Sequence, residues 1–321
     1  PAGSYVFGQG DYTGSAYTGA FNFGQRPFAY TAPSGYKALC TQNLPTPTVG
    51  ATATTQAGKF FNPVLYTGNG TSQTISGVGF QPDWVWIKSR SNAYGHNLFD
   101  AVRGAGLMLG SESTNPEGNV GGEFSAFTSD GFSIAQGASI ADNLNGGSYV
   151  AWNWKANGAG STNTAGSITS TVSANTTSGF SIATLTTQST GVATFGHGLS
   201  SAPKMMILKL RNSANNWYVW HSAFAASDYL IFNDTSAVQT GSTLFNSTAP
   251  TSSVITLGTA YAGSVPLVCY SFAEVPGYSK FGSYTGNGAN DGPFVYCGFR
   301  PKYVMMKCSS NAGLSWVVND G

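Results

Sequence analysis

Apolar and polar positions alternate along this chain in short runs, and the runs are separated by glycine, asparagine, serine, threonine and proline. One run returns three times: Pro82-Asp-Trp-Val-Trp-Ile-Lys88, Pro203-Lys-Met-Met-Ile-Leu-Lys209 and Pro301-Lys-Tyr-Val-Met-Met-Lys307. The copies begin at 82, 203 and 301, so the intervals are 121 and then 98 residues. Side chains two apart share a face of a strand. Val85 and Ile87 therefore lie on one face, with Trp84, Trp86 and Lys88 on the other. The later copies repeat this, Met206 and Leu208 against Met205, Ile207 and Lys209, then Val304 and Met306 against Tyr303, Met305 and Lys307. Two apolar faces predict a central strand covered on both sides, with its lysine emerging into solvent. No segment holds a 3.6-residue period over ten or more residues, so the chain is predicted to be all-β.

A returning strand of this kind predicts tandem antiparallel β-sandwich modules of about one hundred residues each. Residues 1–45 read as short aromatic strands, and 46–57, with Pro45 and Pro47 nearby, as a linker. A first module spans 58–156, a linker and second module 157–277, and the beginning of a third 278–321. Asn-Gly and Asp-Gly pairs at 69–70, 130–131 and 145–146 supply the positive φ of tight hairpins. Tyr284-Thr-Gly-Asn-Gly288 repeats Tyr66-Thr-Gly-Asn-Gly70 letter for letter. The proline at position 1 and the stop inside a third repeat read as cuts in a longer polypeptide.

Composition narrows the function classes. Only 8% of the 321 residues are charged, the net charge is +1, and 13% are aromatic. The basic residues are scattered singly, which leaves no phosphate-neutralising run and no argument for nucleic acid. No apolar stretch reaches the ~20 residues that span a bilayer. The four cysteines, Cys40, Cys269, Cys297 and Cys308, form no C-x-x-C pair and are expected to be buried free thiols.

Catalytic and metal chemistry finds little support. A glycosidase needs two carboxylates flanking its bond, one of them kept protonated. The densest acidic cluster, Glu112, Glu117 and Glu123, sits in loop-like sequence and is expected to be solvated, while Asp83 and Asp100 lie at strand ends. His96, His197 and His221 are far apart, without H-x-x-x-H spacing for zinc. His197, within Gly196-His-Gly198, is expected to be a turn residue satisfied by backbone. No catalytic residue, metal ligand or cofactor is assigned. The expectation for a ligand is glycan, stacked on an exposed ring beside amide partners. Trp217 and Tyr218, next to Asn215 and Asn216, fit that description best.

Two resemblances add to this reading. Asn22-Phe-Gly-Gln-Arg-Pro-Phe-Ala-Tyr30, with Gly35-Tyr-Lys-Ala-Leu39 and Asn43-Leu-Pro45, resembles the C-terminal end of a SPRY domain. The segments Tyr66–Gly70, Pro82–Lys88, Leu98–Asp100 with Arg103-Gly104, Tyr149–Ala156, Gly196–Leu199 with Pro203–Lys209, and Tyr278–Gly282 with Tyr284–Gly288 resemble the repeated β modules of tailed-phage virion proteins. The likeness is to tail-fibre-like proteins of marine and cyanobacterial phages. It implies concanavalin/SPRY-like jelly-roll sandwiches, a place on the extracellular phage particle, several copies assembled as a homo-oligomer, and other virion proteins as partners. It carries no catalytic residues. The function expected is a non-enzymatic tail fibre, tail appendage or head fibre that contacts host-surface polysaccharide. A capsid or tail decoration protein and a polysaccharide depolymerase are the alternatives.

Overall fold

Strand Trp84–Ser89 is central because both of its apolar faces are buried, but only one of them is covered by its own module. The computed structural model describes residues 46–50, 52–189 and 191–321, together with Thr31. The chain divides into two compact units, Pro1–Thr46 and Pro47–Gly321. The SPRY-like stretches between Asn22 and Pro45, and Cys40, lie outside the described residues.

The first module contains β1 (Phe61–Thr67), β2 (Gln73–Ile75), β3 (Trp84–Ser89), β4 (His96–Asp100), β5 (Leu107–Gly110), β6 (Gly118–Asn119), β7 (Phe124–Thr128), β8 (Gly131–Ile134) and β9 (Ser148–Trp154). They form a six-stranded sheet in the order β1-β9-β3-β4-β5-β6 and a three-stranded sheet in the order β2-β8-β7. All the pairings are antiparallel. Val85, Ile87, Phe99, Tyr149 and Ala151 of the large sheet pack on Ile75, Phe124, Phe132 and Ile134 of the small one. The small sheet depends on the Asp130-Gly131 turn. Gly131 has φ +156°, and a Cβ there would stand 1.8 Å from the Ile75 carbonyl oxygen, so only glycine lets β8 approach β2.

The second module repeats the plan with β10 (Ser161–Asn163), β11 (Ser170–Asn175), β12 (Phe180–Thr186), β13 (Ala193–Gly196), β14 (Met205–Leu210), β15 (Tyr218–His221), β16 (Asp228–Ile231), β17 (Gln239–Thr240), α1 (Ser242–Phe245), β18 (Val254–Leu257) and β19 (Pro266–Phe272). Its large sheet runs β10-β11-β12-β19-β14-β15-β16-β17, and β13 pairs with β18 in a small sheet. Met206, Leu208 and Cys269 of the large sheet pack on Phe195, Ile255 and Leu257 of the small one, with Leu244 and Phe245 of α1. The third copy of the signature forms β20 (Tyr303–Met306), paired with β21 (Val317–Asp320). The fold is all-β, built from antiparallel sandwiches.

The second face of each signature strand turns toward a single shared core. Trp84 and Trp86 meet Met205, Ile207, Trp217 and Tyr270 there, with Tyr303, Met305 and Trp316 packed against them. Trp84 stacks on Tyr270 with centroids 4.5 Å apart, and Trp154 meets Tyr303 edge-on at 5.7 Å. Six of the seven tryptophans thus lie in or against the core between modules, where two large sheets and a hairpin lie face to face.

One of the signature lysines, Lys209, is buried where exposure was expected, while Lys88 and Lys307 are partly exposed. Lys209 is 1% exposed, and its ammonium donates to the carbonyls of Thr114, Ser213 and Asn215 at 3.1, 3.4 and 3.0 Å. Lys88 donates to the Tyr94 carbonyl and Lys307 to that of Leu314. Tyr94, Asn215 and Leu314 each stand two residues before a ring at the start of the next strand or immediately ahead of it, His96, Trp217 or Trp316. A signature lysine therefore closes the loop that follows its own strand, which explains why a cation recurs at this point. Cys269 is a buried free thiol, pushed up to about 12 by burial, whereas Cys297 and Cys308 are free and partly exposed, contrary to expectation.

Candidate functional site

The joint between modules is the most heavily built polar feature among the described residues, and it occurs twice. At the first joint the Trp217 indole N–H donates to the Gly110 carbonyl at 2.9 Å, Asn215 N–H to Thr114 at 2.9 Å, and Glu117 N–H to Arg211 at 2.7 Å. At the second, Trp316 donates to Ile231 at 3.0 Å, Gly313 N–H to Thr235 at 2.9 Å, and Val238 N–H to Ser309 at 2.8 Å. Gly110, Thr114 and Glu117 each move by 121 residues to reach Ile231, Thr235 and Val238. Trp217, Asn215 and Arg211 move by 99, 98 and 98, the extra residue lying in the loop before Trp316. The shifts follow the intervals of the signature strands, so the second module docks on the first as the third begins to dock on the second.

Charge reinforces the first joint. Asp100 is fully buried and accepts from the Arg103 Nε, from the Arg103 and Val102 amides at 2.8 and 3.1 Å, and from the Tyr270 hydroxyl at 2.7 Å. Three further Arg103 donors go to the Leu98 and Leu107 carbonyls and to Glu117 Oε2. Glu117 also accepts Arg211 from across the joint, Nε at 3.0 Å and Nη2 at 2.9 Å. A buried charge is tolerable only when it is paired and hydrogen-bonded; Asp100 accepts four bonds and the Arg103 guanidinium donates four.

These placements correct two expectations. Trp217 is 0% exposed, its backbone N–H is taken by Asn233, and its ring is enclosed in the shared core, so no sugar can stack on it. The Asn215 backbone carbonyl and amide are held by Lys209 and Thr114, and the Asn216 side chain accepts from the Asn233 amide. Tyr218 points to the opposite face of the sheet, against Tyr229 and Tyr261. The four residues adjoin in sequence but do not form one exposed surface. Of the three glutamates, Glu112 is exposed as expected and accepts the His96 amide at 3.0 Å, and Glu123 accepts the Ser139 and Ile140 amides, but Glu117 departs from expectation by bridging two arginines.

Other polar groups also serve the fold. His197 is fully buried; its Nδ1 accepts the Leu199 amide at 3.2 Å, which leaves Nε2–H to donate to the Thr251 carbonyl at 3.2 Å. Asp83 accepts the Ala156 amide at 2.7 Å. Asp142 is buried, with Oδ1 held by the Asn97 amide at 2.9 Å and Oδ2 without a partner. Burial pushes its carboxyl up to about 7. No group of three or more His, Cys, Asp or Glu side chains that could hold a metal occurs among the described residues.

An open, hydroxyl-lined surface lies beside the first joint. Thr169, Ser170, Thr171, Thr184, Thr186 and Arg211 line a shallow hollow of about 320 Å³ between β11, β12 and the start of β19. Thr171 faces Thr184 and Thr186 faces Pro266 in register, which sets hydroxyls at regular intervals along the sheet. Glu117 fixes the Arg211 guanidinium at the rim. Sequence pattern alone could not find it, because threonines on the solvent face of a strand are unremarkable until the register aligns them.

No curated protein and no solved structure matches the chain. Residues 56–321 match the family described as a domain of unknown function, DUF7483, and the chain belongs to that family.

Proposed function

We propose that this chain is a non-enzymatic structural protein of a tailed-phage virion, a tail fibre, appendage or head fibre that contacts host-surface glycan. The observation that carries the structural part is the repeated joint, in which Trp217 and Trp316 make the same bond to successive modules. A chain that spends its aromatics and its best-satisfied charges on locking modules together is built to hold a shape. The virion setting rests on the resemblance of Tyr66–Gly70, Pro82–Lys88 and Tyr149–Ala156 to phage virion modules. The hydroxyl-lined hollow beside Arg211 is assigned the glycan contact. Hydroxyls and one guanidinium give weak recognition at a single site, and several copies on one particle would raise avidity by about 10²–10⁴-fold.

Gold-labelled antibody against the chain, imaged on intact particles, tests the location; label on a fibre or appendage is expected. Incubation with host envelope polysaccharide tests the activity. Binding without shortening is expected. Release of reducing ends would replace this reading with a depolymerase, and attachment to capsid or tail subunits with no affinity for cells would replace it with a decoration protein.

A further inference from the structure

We infer that the hollow beside Arg211 takes a sugar that carries a carboxylate, a uronate unit of an acidic polysaccharide, with that carboxylate on the Arg211 guanidinium. This deepens the proposed glycan contact and rests on it. The first support is a set of unused donors. A guanidinium carries five N–H groups in a planar fork. Arg211 turns one edge of the fork, Nε and Nη2, to Glu117 at 3.0 and 2.9 Å. Among the described residues Nη1 donates to nothing, so the end edge, Nη1 with the second N–H of Nη2, stays open at the rim of the hollow. Two parallel N–H groups match the two oxygens of a carboxylate. Glu117 already holds the guanidinium in place, so little freedom is lost when a ligand arrives.

Charge in the joint favours an anion. Three cations, Arg103, Arg211 and Lys209, stand against two carboxylates, Asp100 and Glu117. Lys209 is held by carbonyls alone, so one positive charge is left uncompensated there. Register sets Lys209 opposite Val268 and Val268 opposite Thr184. The surplus cation is thus carried two strand spacings, about 10 Å, from the backbone that bears the hydroxyls. A buried charge is screened by salt much less than an exposed one.

The sheet supplies the remaining contacts. Pro266 faces Thr186, and its carbonyl accepts the Arg211 amide at 2.9 Å, which sets an apolar ring between the hydroxyls and the guanidinium. Thr171 and Thr184 face each other two residues back along β12. A pyranose has apolar C–H faces and a hydroxyl edge. Its face would rest on Pro266, its hydroxyls would meet the threonines, and its carboxylate would reach the open edge of Arg211.

The test titrates the intact chain calorimetrically with polygalacturonate and with the same polymer after its carboxylates have been reduced to alcohols. The acidic form is expected to bind about tenfold or more tightly, the scale of hydrogen bonds to a charged group, and rising salt should narrow the difference. Arg211→Gln should bring the two forms to one affinity. Thr171→Val with Thr184→Val should weaken both. Equal affinity of the two forms for the parent chain overturns the inference and leaves the hollow as a contact for neutral glycan. Binding that the threonine variant does not weaken, or no binding of either form, overturns the inference together with the glycan reading of the hollow. A preference that survives in Arg211→Gln overturns the inference alone. So does tighter binding of ribitol teichoic acid, which would give the open fork to phosphate.

Discussion

Arg211 of the second module grips Glu117 of the first with two parallel hydrogen bonds, while the other side of that carboxylate holds the buried Arg103. The two arginines are not equivalent partners. Arg211 keeps 22% of its side-chain exposure and can be hydrated when released, whereas Arg103 keeps none. Glu117→Gln leaves Arg103 its Asp100 partner but removes the carboxylate that both arginines share, and is expected to cost about 1.5–3 kcal/mol, the scale for hydrogen bonds to charged groups. Arg211→Gln is expected to cost about 1 kcal/mol or less. Denaturant unfolding of both variants measures the difference, and equal losses would contradict the ranking.

Trp217→Phe keeps most of a ring in the shared core but deprives the Gly110 carbonyl of its donor. A buried acceptor left unpaired costs about 1–3 kcal/mol. The loss should appear in thermal unfolding, while affinity for host polysaccharide at temperatures where the variant is folded should not change. A specific loss of binding would return Trp217 to the ligand site.

Thr171→Val together with Thr184→Val removes facing hydroxyls from the hollow and leaves the shape of the strands unchanged. Retention of polysaccharide on a host-envelope column is expected to fall about tenfold, the scale of one or two lost hydrogen bonds. The midpoint of unfolding should stay within ~0.5 kcal/mol of the parent.

Two buried groups give the stability a pH signature. Asp142 is pushed up to about 7 by burial, so the folded state holds a proton that the unfolded chain releases near its ordinary value. Its contribution is fully present below that ordinary value and is lost as pH rises toward 7. Lys209 is pulled down to about 8 by burial, so the unfolded chain binds the extra proton above pH 8. Its contribution is present above the ordinary lysine value and is lost as pH falls through 8. Relative to the parent, Asp142→Asn should remove a decline in stability between about pH 4 and 7. Lys209→Met should remove a rise between about pH 8 and 10.5, at the cost of leaving three carbonyls without their donor. Parallel unfolding curves for parent and variant across either window would refute the corresponding assignment.

Alternation in Trp84–Lys88 and Met205–Lys209 is a local property, and it correctly marks strands with two apolar faces. What covers the second face is not local. The pattern is the same whether a module's own sheet or a neighbour does so, and that is why the shared core was hidden. The lysine misled for a related reason. A cation after an apolar run ordinarily means solvent, but a loop returning three carbonyls can bury it, and backbone carbonyls have no letter in a sequence. Trp217 beside Asn215 and Asn216 looked like a sugar platform because composition records which groups are present and not which way they point. His197 between two glycines could be read, since its partners lie in its own turn and in the strand entry beside it.

The core shared by Trp84, Tyr270, Tyr303 and Trp316 has a mechanical consequence. Independent beads on a string open one after another under tension and give a sawtooth of separate ruptures. Modules that bury their largest rings in one another cannot yield singly, because opening one strips the core of the rest. Pulled from its ends, this assembly should resist as one body and fail in a single event, as a strut would.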